Sequence, residues 1–181
     1  MRATVALLAA LLVLTGCLIP GEKFYPVGLA KVGGVYVLFA PMCEGESLTE
    51  IVISSNVGNP ENPSEPREID WWSGNRPADE STERGWVVLG DDSRFLESGG
   101  NDDVSEWPRD LRVELGHDSP GGGFRSITGA IRIDDTVPGY APDADIEEIE
   151  YLFGDPRTDD PLELWTPNRM RLETGCAGQY L

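Results

Sequence analysis

Leu111-Arg-Val-Glu-Leu115 and Ile127-Thr-Gly-Ala-Ile-Arg-Ile133 place an apolar or small residue at every second position. Successive side chains of a strand point to opposite faces, so a period of two describes strands with one face in a core and the other in water. Working outward from this pair, Gly34-Val-Tyr-Val-Leu-Phe-Ala40 is β-branched and aromatic, and Thr49-Glu-Ile-Val-Ile-Ser54 follows after a turn through residues 41–47. Glu68-Ile-Asp-Trp-Trp72 and Gly85-Trp-Val-Val-Leu89 read as strands too. So does Asn168-Arg-Met-Arg-Leu-Glu-Thr174, with Met170 and Leu172 inward. Residues 145–153 fit two periods. Asp145 and Glu148 form a capping box for a helix carrying Ile146, Ile149, Leu152 and Phe153 on one face, whereas Ile149, Tyr151 and Phe153 fit a strand. The strand is preferred because its neighbours are strands. These elements predict an all-β chain, an immunoglobulin-like antiparallel β-sandwich of seven to eight strands.

Composition agrees with that architecture. The 181 residues suit one domain, and 21 Gly with 14 Pro suit one rich in turns. A formal charge of −18 and a sequence pI near 4.2 exclude nucleic acid as a partner held by its phosphates. Only two lysines occur, Lys23 and Lys31, against twelve arginines.

The start of the chain carries a different signal. Arg2 precedes a 12-residue stretch, residues 3–14, that is apolar except for Thr4. Spanning a bilayer takes about 20 residues, so this length matches the apolar region of a signal peptide. Leu14-Thr15-Gly16-Cys17 follows at once and resembles the lipobox of bacterial lipoproteins. The resemblance implies cleavage before Cys17, diacylglycerol on its thiol, and a domain held on the extracytoplasmic face of the cell membrane. Cleavage removes Arg2 and deepens the charge to −19. The acidic, arginine-biased composition is similar to that of small lipoproteins of high-GC Gram-positive bacteria, a likeness that implies a location and no activity. The chain thus divides into a signal peptide, 1–16, a lipidated cysteine and tether, 17–33, and a β-sandwich domain, 34–181. As a flexible coil, the 16 residues after Cys17 span roughly 20–24 Å.

In an oxidising compartment the two other cysteines, Cys43 and Cys176, form an even pair. They follow the first and last predicted strands, so a disulfide between them staples the two ends of the domain. In the chain-entropy model, closing 133 residues is worth about 5 kcal/mol before native strain is subtracted. Reactive thiols or a zinc site are opposed by a single histidine and the lack of any Cys-x-x-Cys spacing.

Signatures of several enzyme classes are missing. There is no Gly-x-Ser-x-Gly elbow and no pair of histidines one helical turn apart. His117, Asp118 and Ser119 are consecutive and so cannot stack as nucleophile, base and orienter. Residues 115–123 read as a hairpin loop that happens to contain a histidine. The acidic doublets Asp91-Asp92, Asp102-Asp103, Asp134-Asp135 and Asp159-Asp160 are expected in solvated turns. Asp91, Asp92, Asp134, Asp135, Asp159 and Asp160 are also candidate calcium ligands, since that ion takes six to eight oxygens. Of Trp71 and Trp72, alternation sends one into the core and one outward, where an exposed indole serves a binding surface. Trp107 is expected to plug the long acidic loop of residues 90–108 and, with Trp71 and Trp72, is a candidate for binding a partner. The resulting expectation is a non-enzymatic envelope lipoprotein that binds a protein or polysaccharide, or is structural. A surface hydrolase with a loop carboxylate pair and a calcium-dependent adhesion domain are the alternatives.

Overall fold

The computed structural model describes residues 27–57, 66–120, 123–154 and 161–174. Over these the chain folds into two sheets packed face to face, the expected all-β sandwich. Strands β3 (Ser47–Val57), β4 (Arg67–Pro77), β6 (Phe95–Gly100), β7 (Asp110–Ser119) and β8 (Gly123–Arg132) form one sheet in the order β6-β4-β3-β7-β8. The other has the order β11-β10-β1-β2-β5, built from β1 (Gly28–Val32), β2 (Val35–Phe39), β5 (Trp86–Val88), β10 (Tyr151–Phe153) and β11 (Glu163–Trp165). All these pairs are antiparallel, and a two-residue strand, β9 (Gly139–Tyr140), lies parallel against β1. The described residues hold eleven strands rather than seven or eight because several short edge strands carry no legible alternation.

The segments Leu111–Leu115 and Ile127–Ile133 lie in one hairpin. β7 and β8 pair from Asp110↔Arg132 to Ser119↔Gly123, and Leu111, Val113 and Leu115 are buried between the sheets. Continuing their period of two brings His117 inward. It is 3 % exposed inside β7, which corrects the expected loop at residues 115–123: the strand runs on to Ser119.

The six-stranded sheet is covered on both faces, which explains its almost continuously apolar strands. Leu29, Leu38 and Val87 face the other sheet and pack with Ile51, Ile53 and Trp72. Ala30, Val37, Phe39, Trp86 and Tyr151 face the opposite way, against Ile149 and Met170. Met170 belongs to a helix. The expected strand at 168–174 is α2 (Pro167–Glu173), following a shorter helix, α1 (Glu80–Glu83). Local chemistry decides this. The Thr166 side chain accepts the Arg169 N–H at the N-cap, and Pro167 supplies the fixed φ suited to the first turn. Pro167 and Met170, three apart, are buried while Leu172 is exposed, so the inward period is helical.

Residues 145–153 satisfy both of their patterns in part. Asp145 accepts the Glu147 N–H with its side chain and the Glu148 and Ile149 N–H groups with its carbonyl, making one helical turn. The strand begins only at Tyr151. Two further expectations are corrected. The domain does not start at residue 34, because β1 sits inside the proposed tether and pairs with both β2 and β10. The loop of residues 90–108 contains an edge strand, β6, paired with β4 from Trp72↔Gly100 to Pro77↔Phe95.

Trp71 and Trp72 do not simply alternate. Ile53 pairs with Trp72 and Ser54 with Asp70, so Trp71 is the extra residue of a β-bulge. The bulge shifts the phase. Trp72 is fully buried, and Trp71 packs half-buried against the same core, its Nε1 donating to Ser55 Oγ at 2.8 Å. Just before β5, Gly85 takes φ +97, and a Cβ there would lie 2.0 Å from the Ala40 carbonyl oxygen. Only glycine fits this approach, which the Ala40 N–H to Gly85 carbonyl bond at 2.9 Å requires.

Candidate functional site: a cleft at one end of the sandwich

Short strands and long acidic connections leave the loops gathered at the ends of the sandwich. At one end, the β1–β2 turn, the segment after β5, the β6–β7 loop and the segment after β8 enclose a cleft of about 910 Å³. Its volume lies within the ~300–1,000 Å³ range of ligand pockets. Tyr36, Val88, Leu89, Val104, Trp107 and Ile133 give it apolar walls. Asp91, Asp102, Asp103, Asp134 and Asp135 surround them, together with the cations Lys31 and Arg109.

Three of these aspartates are held by the same local device. Asp91, Asp103 and Asp134 are each followed two residues later by a hydroxyl residue, Ser93, Ser105 or Thr136. In each case Oδ1 accepts both the backbone N–H and the hydroxyl of that residue. The N–H bonds are 3.1, 3.0 and 2.8 Å long respectively. Such Asx turns stiffen the rim. The hydroxyl bond is the largest cause holding each carboxyl below the usual carboxylate range. The backbone bond adds to it, as do Arg94 for Asp91 and Arg109 for Asp134. Arg94 Nε lies 3.4 Å from Asp91 Oδ2, and Arg109 Nε 3.1 Å from Asp134 Oδ2.

A carboxyl depressed in the folded protein adds stability above its ordinary pKa and loses it as pH falls through the folded value. The cleft turns therefore weaken below about pH 4. Thr136→Val removes the hydroxyl while keeping the branched shape, so it lowers the melting temperature at pH 7 by an amount that shrinks as pH falls below about 4. Thermal melts of both proteins across that range check this, and a gap independent of pH would refute it.

Of the expected site residues, the fold brings Asp91, Asp134, Asp135 and Trp107 to this cleft. Asp92 is turned to another use, accepting the Trp72 Nε1 proton at 2.9 Å. Trp72 is a core residue, and Trp107 is 7 % exposed, with its Nε1 donating to the Asn101 carbonyl at 2.9 Å. Neither presents an open indole. Among the described residues no three His, Cys, Asp or Glu side chains are grouped to hold a metal ion. Cys17, Cys176, Asp159 and Asp160 lie outside the described residues.

Sequence reasoning missed Lys31, Tyr36, Val104, Arg109 and Ile133 as neighbours of one another. A signal for part of the site was present, because Asp-x-Ser/Thr recurs at 91, 103 and 134. Away from the cleft, buried His117 has no hydrogen-bond partner at Nδ1, which lies 3.9 Å from Glu46 Oε1. Glu46 Oε2 in turn accepts the Cys43 N–H at 3.0 Å.

Comparisons with protein-family models, curated proteins and solved structures found no match for this chain. Among the described residues no helix is long and apolar enough to cross a membrane.

Proposed function

We propose that the protein is a lipid-anchored binding module on the extracytoplasmic face of a bacterial cell membrane, with its cleft open to a protein or polysaccharide of the envelope. The observation that carries this reading is the polarity of β1. Val27 leads into Gly28 at one end of the strand, and Lys31 at the other end lines the cleft next to the β1–β2 turn. Val27 lies ten positions after the lipobox Cys17, a reach of no more than about 35 Å even when fully extended. An anchor at Cys17 therefore holds the start of β1 within about 35 Å of the bilayer.

Binding is favoured over hydrolysis by the electrostatics of the rim. A carboxyl acting as general acid near neutral pH needs its pKa raised, and Asp91, Asp103 and Asp134 are all held low. A bridge from Cys43 to Cys176 belongs to the same proposal. Cys43 shares a hollow of about 410 Å³ with Arg171, five residues before Cys176.

Two measurements in the producing cells test the proposal. Cys17→Ala is expected to abolish incorporation of labelled palmitate and to move the protein from the membrane to the soluble fraction. Its persistence in the membrane overturns the anchor. A photocrosslinking residue in place of Val35, which is 50 % exposed at the cleft, is expected to form adducts that the same residue at exposed Glu44 does not. Equal yields from the two positions, or none, overturn the binding role of the cleft.

A further inference from the structure

We infer that the cleft takes a segment of a protein partner that carries lysine or arginine beside an apolar side chain. The inference rests on the binding-module reading and names the chemistry of its ligand. The cleft's own cations are already engaged. Arg109 is bonded to Asp134, and the Lys31 ammonium sits 5.0 Å from the centre of the Tyr36 ring. Three carboxylates are not matched in this way. Asp102, Asp103 and Asp135 have no ion pair among the described residues, so the mouth of the cleft keeps an excess of negative charge over an apolar floor. Charge complementarity of this kind selects a cationic partner and speeds its encounter.

The walls argue against a sugar as the occupant. Stacking on a sugar ring needs an open aromatic face, and here Trp107 is buried while Lys31 lies over Tyr36. A bare inorganic or ammonium cation would use the rim and leave the apolar walls unfilled. A peptide segment uses both: its cation pairs with the rim carboxylates, and a neighbouring aliphatic side chain enters between Val104 and Ile133.

The test uses the full chain purified from membranes in non-ionic detergent and three fluorescent probes. These are a ten-residue peptide with three lysines among leucines, the same peptide with glutamine for lysine, and a neutral oligosaccharide. The lysine peptide is expected to bind, and the substitutions D102N, D103N and D135N combined are expected to weaken it about tenfold, the scale of three exposed ion pairs. Raising salt from 50 to 300 mM should weaken it as well. The amide introduced by D103N keeps an acceptor at Oδ1, so the turn to Ser105 survives. A second variant, Arg109→Gln, frees the Asp134 carboxylate and is expected to tighten binding two- to threefold. Equal binding of the glutamine peptide, indifference to the triple substitution, or no binding of the lysine peptide overturns the inference. Preference for the oligosaccharide overturns it too, yet leaves the binding module standing. Failure of that broader reading shows separately, as a lack of adducts from Val35.

Discussion

Trp72→Ala lowers the melting temperature by roughly 10 °C. Removing a buried Trp side chain costs about 3–5 kcal/mol, and a domain of this size loses about 2–4 °C per kcal/mol. Trp72 is 1 % exposed and meets Phe95 edge-on with ring centres 5.5 Å apart. It also lies 6.3 Å from Trp107, and its Nε1 donates to Asp92. The cavity left by alanine thus sits between an edge strand and the floor of the cleft. Trp72→Phe keeps most of the ring contact and leaves Asp92 without its donor, at about 1–2 kcal/mol. Trp71→Ala empties a half-buried site next door and costs less than Trp72→Ala. Thermal or urea melts of the three variants give the ranking, and a larger loss at Trp71 would mean that the bulge in β4 is misassigned.

Removing the proposed bridge has an effect of similar size. The double substitution Cys43→Ser with Cys176→Ser is expected to cost about 2–5 kcal/mol, the usual range for a disulfide in a secreted domain. Its location says which part loosens. Cys43 follows β2 in the six-stranded sheet, while Cys176 follows α2, the helix covering that sheet's outer face. Arg171 of α2 lies over Phe39 and Trp86 at 5.2 and 5.1 Å from their ring centres, and Met170 is fully buried beside them. A broken bridge therefore releases the cover from Phe39, Trp86 and Tyr151, so hydrogen exchange should rise first in β1, β2 and β10. Alkylation of unreduced, denatured protein checks the pairing directly. Labelling of Cys176 under those conditions would disprove the bridge.

Strand-forming segments were readable wherever one face is buried and the other wet. β7 shows this best, with Arg112 and Glu114 between Leu111, Val113 and Leu115. The same rule, followed two residues further, already pointed His117 inward, but the Gly and Pro after it suggested a loop. At Trp71 and Trp72 the rule failed, because a bulge adds a residue and resets the phase. Nothing in Ile69-Asp70-Trp71-Trp72 marks that event, since it depends on the register with β3. At 167–174 two signals competed. The alternation of Met170 and Leu172 was accidental, and the Thr166 N-cap with Pro167 in the first turn makes the segment a helix.

By itself, the sequence determined the class of fold, the acidity of the chain and the presence of a lipobox-like motif ending at Cys17. These depend on periodicity, composition and a contiguous motif, all of which are legible without knowing which strands pair. Tertiary structure alone decided that β1 belongs to the domain, that α2 covers the second face of its sheet, and that Asp91, Asp103 and Asp134 meet around Trp107. Strand order and register fix those outcomes. Residues far apart in the chain become neighbours only when particular strands pair, and the strength of one pairing depends on the others in the sheet.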